Sequence, residues 1–189
     1  KEEAIENILE MAELKKEGTI RAILVTGCMA ERYREEILQE MPEVDAVLGI
    51  GSNDKIAQAI TDALNEKKQT LDFGPKEHLA LDGDRVLTTL PYYAYLKIAE
   101  GCNNCCAYCA IPKIRGRFRS RPMEDIVKEA EHLAGEGVKE LILVAQDTTR
   151  YGEDLYGTYK LAELLQKLAK IDGFRWIRVL YCYPDKITE

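Results

Sequence analysis

No stretch of this sequence is apolar for anything near the roughly 20 residues that a helix needs to cross a bilayer, so no helical membrane span is expected in it. The start is no secretory signal either. Lys1-Glu2-Glu3 runs directly into an amphipathic pattern, without a basic end followed by an apolar core. An initiator Met is absent, and the pattern opens in mid-helix, so the chain reads as a piece of a longer protein. Basic charge is short as well: 26 Lys and Arg against 33 Asp and Glu leave a net charge of -7. That balance excludes a general phosphate-binding surface, which needs clustered cations, and direct nucleic-acid binding is not expected. There is no internal repeat and no low-complexity tract. The two histidines, His78 and His132, stand far apart and suit surface positions rather than catalysis.

What the chain does have is cysteine. There are six, in a sequence without an export signal, which favours metal or catalysis over a disulfide framework and implies a reducing, cytoplasmic compartment. Four of them lie in Cys102-Asn103-Asn104-Cys105-Cys106-Ala107-Tyr108-Cys109. Inside that block Cys102, Cys106 and Cys109 form Cys-x3-Cys-x2-Cys. Three thiolates at this spacing can hold three irons of a cubane cluster and leave the fourth iron open for chemistry. The same block also parses as two Cys-x2-Cys pairs, which invites zinc. Paired zinc ligands are normally about 15–20 residues apart, and four thiolates crowded into one short loop fit a tetrahedral ion poorly. On the iron parsing Cys105 is a bystander, and Cys182 matches no ligand pattern and suits a core thiol.

The rest of the chain supplies an α/β frame. Ile5, Ile8, Leu9 and Ala12 mark a helical stripe that ends near Gly18. Ile20–Val25 and Val44–Ile50 read as buried strands, with a helix over Tyr33–Met41 between them, stopped by Pro42. Ser52 or Asn53 can cap the next helix, which runs to about Glu66. Alternation of this kind predicts a parallel sheet. Residues 69–91, and the Lys67-Lys68 before them, show no sustained period and read as a linker with a short hairpin. From Tyr93 the alternation resumes: a strand to Ala99, the cysteine loop, and a helix opened by Pro122. A strand over Val138–Ala145, a helix through Leu161, Leu164, Leu165 and Leu168, and a strand over Trp176–Tyr181 complete it. This is the opening of a (β/α) barrel. The expected organisation is therefore 1–68, a linker 69–91, and 92–189.

The cluster loop continues into Ile111-Pro112, Arg115-Gly116 and Ser120-Arg121. With that continuation it resembles the radical S-adenosylmethionine superfamily, and within it the methylthiotransferases. Thr26-Gly27-Cys28-Met29-Ala30-Glu31-Arg32-Tyr33 is similar to that family's N-terminal domain. Val144-Ala145-Gln146-Asp147-Thr148-Thr149-Arg150-Tyr151-Gly152 resembles the branch that modifies a ribosomal protein; the tRNA-modifying branch usually carries Gln-Asn-Val in place of Gln146-Asp147-Thr148. The resemblance implies that 1–68 is the C-terminal part of the methylthiotransferase N-terminal domain and that 92–189 is half of a six-unit radical barrel.

It also implies a chemistry. Cys102, Cys106 and Cys109 would ligate a [4Fe-4S] cluster whose open iron is chelated by the amino and carboxylate groups of S-adenosylmethionine. Reductive cleavage of that cofactor gives a 5′-deoxyadenosyl radical, which removes hydrogen from an unactivated carbon. Tyr108 occupies the position of an aromatic ring near the adenine; otherwise it is a packed core tyrosine. Gln146 follows the second barrel strand and is a candidate cofactor contact; Asp147 beside it is either a contact or a loop cap. Cys28 matches the last of three ligands of a second [4Fe-4S] cluster, the other two lying upstream of Lys1; otherwise it is a half-buried thiol. Lys113, Arg115, Arg117, Arg119 and Arg121 form either a solvated face or a set of partners for a carboxylate.

The implied reaction adds a methylthio group to the β carbon of an aspartate in the twelfth small-subunit ribosomal protein. A low-potential donor such as flavodoxin or ferredoxin would serve it. The alternatives are tRNA adenosine methylthiolation and a plain iron–sulfur or zinc module.

Overall fold

The computed structural model describes residues 1–65, 69–81, 83 and 85–184. The chain forms two compact units, Lys1–Leu79 and Ala80–Glu189. Among the described residues, no helix is long and apolar enough to cross a membrane.

The first unit contains α1 (Glu2–Lys16), β1 (Leu24–Thr26), α2 (Cys28–Tyr33), α3 (Glu35–Glu40), β2 (Ala46–Leu48), α4 (Ile56–Leu64) and β3 (Thr70–Asp72). Its three strands are parallel in the order β1-β2-β3, with Val25 opposite Val47 and Val47 opposite Leu71. Ile8, Ala12, Val25, Ala30, Ile37, Val44 and Val47 make the core. Of the expected stripe on α1, Ile8 and Ala12 are buried, whereas Leu9 is half exposed. Asp45 secures β2 from its edge: its carboxylate accepts from Lys15 Nζ at 2.6 Å and from the Ile23 N–H at 2.7 Å.

Three local expectations change here. The helix expected over Tyr33–Met41 is α3, Glu35–Glu40, and a further helix, α2, precedes it; the two are broken at Arg34, whose φ of 45° lies in the left-handed region. The break is held because the Arg34 guanidinium ion-pairs with Glu31 at 3.0 Å and stacks over the Phe73 ring. Ser52 and Asn53 do not cap α4, which begins at Ile56 without a side-chain cap. The Ser52 hydroxyl instead donates to Asp72 Oδ1 and accepts from the Gly74 N–H, both at 2.6 Å. Finally, Thr70–Asp72 lies in the stretch expected to be linker yet forms a third strand; three residues suffice because β2 supplies a buried parallel partner. Residues 66–68, 82 and 84 of the expected helix end and linker, and the His78 side chain, lie outside the described residues.

The second unit contains β4 (Tyr93–Lys97), β5 (Ala99–Glu100), α5 (Ile111–Arg115), β6 (Arg119–Ser120), α6 (Met123–Gly135), β7 (Glu140–Val144), α7 (Glu153–Tyr156), α8 (Leu161–Leu168) and β8 (Trp176–Val179). β4, β7 and β8 are parallel, and each pairs with the next in sequence. That consecutive order, with a helix in each crossover, is the barrel order and not the doubly wound one. Leu96, Ile98, Leu141 and Leu143 pack with Ile126, Leu133, Leu164 and Leu168 in one core. Alternation places Tyr95 and Arg178 on the other face of the sheet, where Arg178 pairs with Glu140. Pro122 stands one residue before α6, as its N-cap.

Candidate metal centre

β4 delivers the chain to the cysteines, and a small clasp closes the loop they occupy. β5 and β6 pair antiparallel, Ala99 with Ser120 and Glu100 with Arg119, so residues 101–118 form an excursion tied at its base. The Cys102 N–H donates to the Gly116 carbonyl at 3.2 Å, and the Phe118 N–H donates to Asn103 Oδ1 at 3.0 Å. Gly101 begins the excursion with φ +79°, and a Cβ there would strike the Arg117 carbonyl oxygen. Only glycine lets the two arms of the loop come this close.

Glu100 sits in the clasp, fully buried. Its carboxylate meets Lys97 Nζ at 2.7 Å and Arg115 Nη1 at 3.1 Å, and it accepts from the Gly101 N–H at 3.2 Å. Burial is the largest single influence and pushes its carboxyl up. Lys97, Arg115 and the Gly101 N–H together outweigh it and hold the group below the usual range. Arg121 is also buried: it pairs with Glu129 at 2.7 Å and donates to the Lys97 carbonyl at 2.8 Å. The five cations from Lys113 to Arg121 are therefore no single face, since Arg115 and Arg121 point inward to partners of the fold.

Cys102 is buried, Cys106 and Cys109 are half-buried, and Cys105 is exposed. The Cys109 N–H donates to the Cys106 carbonyl at 3.0 Å, a turn that brings these two residues to one side. Burial pushes the Cys102 thiol up, and Asp147, Cys109 and Cys106 add to that rise against the Asn104 N–H, which lies 3.4 Å from its sulfur. The three thiols thus sense one another. Among the described residues, however, no three His, Cys, Asp or Glu side chains converge closely enough to hold one metal ion. In a cubane cluster each sulfur binds a different iron, so the three thiols of this loop need not meet at one ion to hold it. A raised thiol must lose its proton to metal, which couples loading to pH.

The strand ends complete the surroundings. Asp147, just beyond β7, is buried; its carboxylate accepts from Asn104 Nδ2 at 2.9 Å and from Thr149 Oγ1 at 2.5 Å, and pairs with Arg150 at 3.3 Å. It holds its own turn and the cysteine loop together. The next residue back, Gln146, has its Oε1 buried with no hydrogen-bond partner. Tyr108 is 94% exposed, which rules out the packed-core alternative. Beyond β8, the Tyr183 hydroxyl lies 3.7 Å from Cys106 Sγ. The Cys106 contact, first among several influences, keeps the Tyr183 phenol above its ordinary value. Cys182 is exposed, with its sulfur 3.3 Å from Thr148 Oγ1, and so is not the core thiol expected. Cys28 belongs to the first unit, at the start of α2 directly after β1; it is exposed rather than half-buried. His132 is exposed, 3.4 Å from Glu136.

Sequence spacing singles out the thiols and the 146–147 corner, and the structure sets the thiols in one loop that Asn104 ties to Asp147. Spacing misses Glu100, Asn104 and Tyr183. Glu100 and Asn104 adjoin the ligand motif, and Tyr183 lies beyond a barrel strand at its carboxyl end, where such sites gather.

The comparisons with known proteins agree along the chain. Residues 96–185 match the model of the radical SAM superfamily, and residues 1–49 match the model described as Uncharacterized protein family UPF0004. The whole chain is 54% identical to a protein of Thermoanaerobacter sp. (strain X514), 53% to one of Clostridioides difficile (strain 630) and 55% to one of Lachnoclostridium phytofermentans (strain ATCC 700394 / DSM 18823 / ISDg). Each is named "Ribosomal protein uS12 methylthiotransferase RimO", and the match covers 43% of each. The chain thus spans about two-fifths of the length of the relatives it matches. On its motifs, on both family models and on relatives similar over its entire length, the chain belongs to the radical SAM methylthiotransferase family.

Proposed function

We propose that this chain is part of a radical S-adenosylmethionine enzyme that adds a methylthio group to the β carbon of an aspartate in ribosomal protein uS12. The observation that carries the reading is the loop of three thiols beyond the first of three parallel strands, in a chain similar throughout to proteins of that name. Cys102, Cys106 and Cys109 would hold a [4Fe-4S] cluster, and Cys28 would contribute to a second one. When bound, the first cluster supplies low-potential, one-electron reduction of S-adenosylmethionine at its open iron.

The chain's own residues prepare that event. Asp147 and Asn104 fix the loop to the end of β7. Glu100 fixes its base and answers the charge of Lys97 and Arg115. Gln146 Oε1 is free to accept a hydrogen bond from a cofactor amine. The exposed Tyr108 ring can cover an adenine. A flavodoxin or ferredoxin would deliver the electron, in the reducing cytoplasm where ribosomes are built. The Gln146-Asp147-Thr148 sequence favours the ribosomal-protein substrate over tRNA.

The test has two stages. Anaerobic reconstitution of the chain should give a reducible iron–sulfur signal in electron paramagnetic resonance that changes on adding S-adenosylmethionine; an unchanged signal, or stoichiometric zinc, refutes the enzyme. The complete protein should then yield a thioether on uS12, read by mass spectrometry. A thioether on tRNA adenosine instead would move the chain to the other branch.

A further inference from the structure

The third strand brings a group to the cysteine loop that no ligand motif includes. We propose that Tyr183 tunes the metal centre, its hydroxyl donating a hydrogen bond to the Cys106 sulfur and raising the ease with which the centre is reduced. This rests on the reading of Cys106 as an iron ligand.

The geometry supplies the contact and its direction. Tyr183 OH lies 3.7 Å from Cys106 Sγ across 77 residues of sequence. The segment that carries it is anchored at two points to the turn after β7. The Thr148 N–H donates to the Tyr181 carbonyl at 3.1 Å, and Thr148 Oγ1 donates to the Leu180 carbonyl at 2.8 Å. Tyr181 itself has φ 60°, in the region that side chains avoid, so the backbone turns sharply there and is held in the turn. Asn104, two residues before Cys106 in the same loop, donates its Nδ2 to Asp147 at 2.9 Å, which ties the loop to the turn after β7. An iron-bound thiolate carries no proton and can only accept. With no proton on the sulfur, Tyr183 is the donor and Cys106 the acceptor.

A hydrogen bond to a ligating sulfur draws charge from it. The reduced cluster carries one more electron than the oxidised one, so it gains more from the bond and the potential rises. Tyr183 acts through the ligand and is a positioning and tuning residue, with no contact to a reacting atom required.

The experiment is a redox titration of the anaerobically reconstituted full chain, monitored by electron paramagnetic resonance, with iron and sulfide measured on the same samples. If the wild-type chain binds no cluster, the reading of Cys106 as a ligand fails first, and that failure is distinct from a failure of the tuning role. Given a wild-type cluster, Tyr183→Phe should keep its iron and shift the midpoint to a more negative potential. The expected shift is up to about tenfold in the reduction equilibrium, or ~59 mV for a one-electron couple. A full iron content with an unmoved midpoint overturns the inference. Incorporation of 3-fluorotyrosine at 183 keeps the ring and strengthens the donor, so it should move the midpoint the opposite way. It decides the matter if Tyr183→Phe loses iron, and no shift, or a shift in the phenylalanine direction, overturns the inference.

Discussion

Both units of this chain build the same local arrangement at a strand end, and they differ in how the cysteine beside it is set. Each starts a parallel sheet, ends its first strand near a glycine of positive φ, and places a cysteine directly after that glycine: Gly27-Cys28 and Gly101-Cys102. Each also buries a glutamate close by, held by two cations and one backbone N–H. Glu31 meets Arg34 at 3.0 Å, Lys76 at 3.6 Å and the Ile50 N–H at 3.1 Å. Glu100 meets Lys97, Arg115 and the Gly101 N–H. The cysteines differ. Cys28 is exposed at the start of a six-residue helix. Cys102 is buried in a clasped loop with Cys106 and Cys109, and the Asn104 N–H lies against its sulfur. A strand end and a buried carboxylate thus make a rigid platform in both units, and in the second unit a single clasped loop gathers three thiols on it.

The largest effect should come from the thiols themselves. Cys102→Ser should abolish the S-adenosylmethionine-sensitive resonance signal of the reconstituted chain, because two thiols cannot anchor the cluster. Cys28→Ser should leave that particular signal intact. Equal losses in the two variants would erase the distinction drawn between the units.

Next in size is the pair of glycines. Gly27 and Gly101 have φ of 95° and 79°, so alanine at either is strained by about 1–3 kcal/mol. At Gly27 the new Cβ would meet nothing within 4 Å. At Gly101 it would meet the Arg117 carbonyl, with the carbon of that group at 2.7 Å and the Gly116 oxygen at 2.8 Å, all backbone that cannot swing aside. Overpacking adds about 1–3 kcal/mol there. Chemical denaturation should place Gly101→Ala below Gly27→Ala in stability, and hydrogen exchange should show residues 101–118 opened only in the former. If the two variants lose the same amount, the close approach of the loop arms is not a constraint on the fold.

How far these features are legible in the sequence depends on the distance over which each is made. The three thiols proposed as ligands lie within eight positions, so spacing alone groups them. The strands β4, β7 and β8 carry apolar runs such as Leu141-Ile142-Leu143 and are visible for that reason. The short pairs are not. Thr70–Asp72 and Arg119–Ser120 have no period of their own and become strands only because a partner is waiting. Ser52 suggests a helix cap, since a hydroxyl near a helix start is the usual one. Its partners Asp72 and Gly74 are about twenty residues on, where no local rule looks. The bonds that join the cysteine loop to Asp147 and to Tyr183 span 43 and 77 residues. They exist because three strand ends meet, and a sequence shows strand ends without showing which side chains they juxtapose.

The smallest effect concerns the two glutamates, and it has a sign in pH. Glu100 has its carboxyl held below its ordinary value of 4.5 in the folded state. A depressed carboxyl stabilises the fold fully above the unfolded value, and that contribution is lost as pH falls through the lower, folded one. Wild-type stability should therefore drop on acidification below about pH 4.5. Glu100→Gln removes the ionisable group. It should cost about 1–3 kcal/mol near neutral pH, at the low end of what an orphaned buried pair loses, because Lys97 and Arg115 keep partial access to water. It should also flatten the part of the acid slope that Glu100 supplies. Glu31→Gln, in the same kind of cage, tests whether the cage or the loop matters. If the two substitutions cost the same at neutral pH but only Glu100→Gln lowers iron retention, the carboxylate cage is a general device for strand ends, and the clasped loop is what turns it into a metal site. If Glu31→Gln lowers iron retention at the loop equally, the two units are not independent platforms and the contrast between them fails.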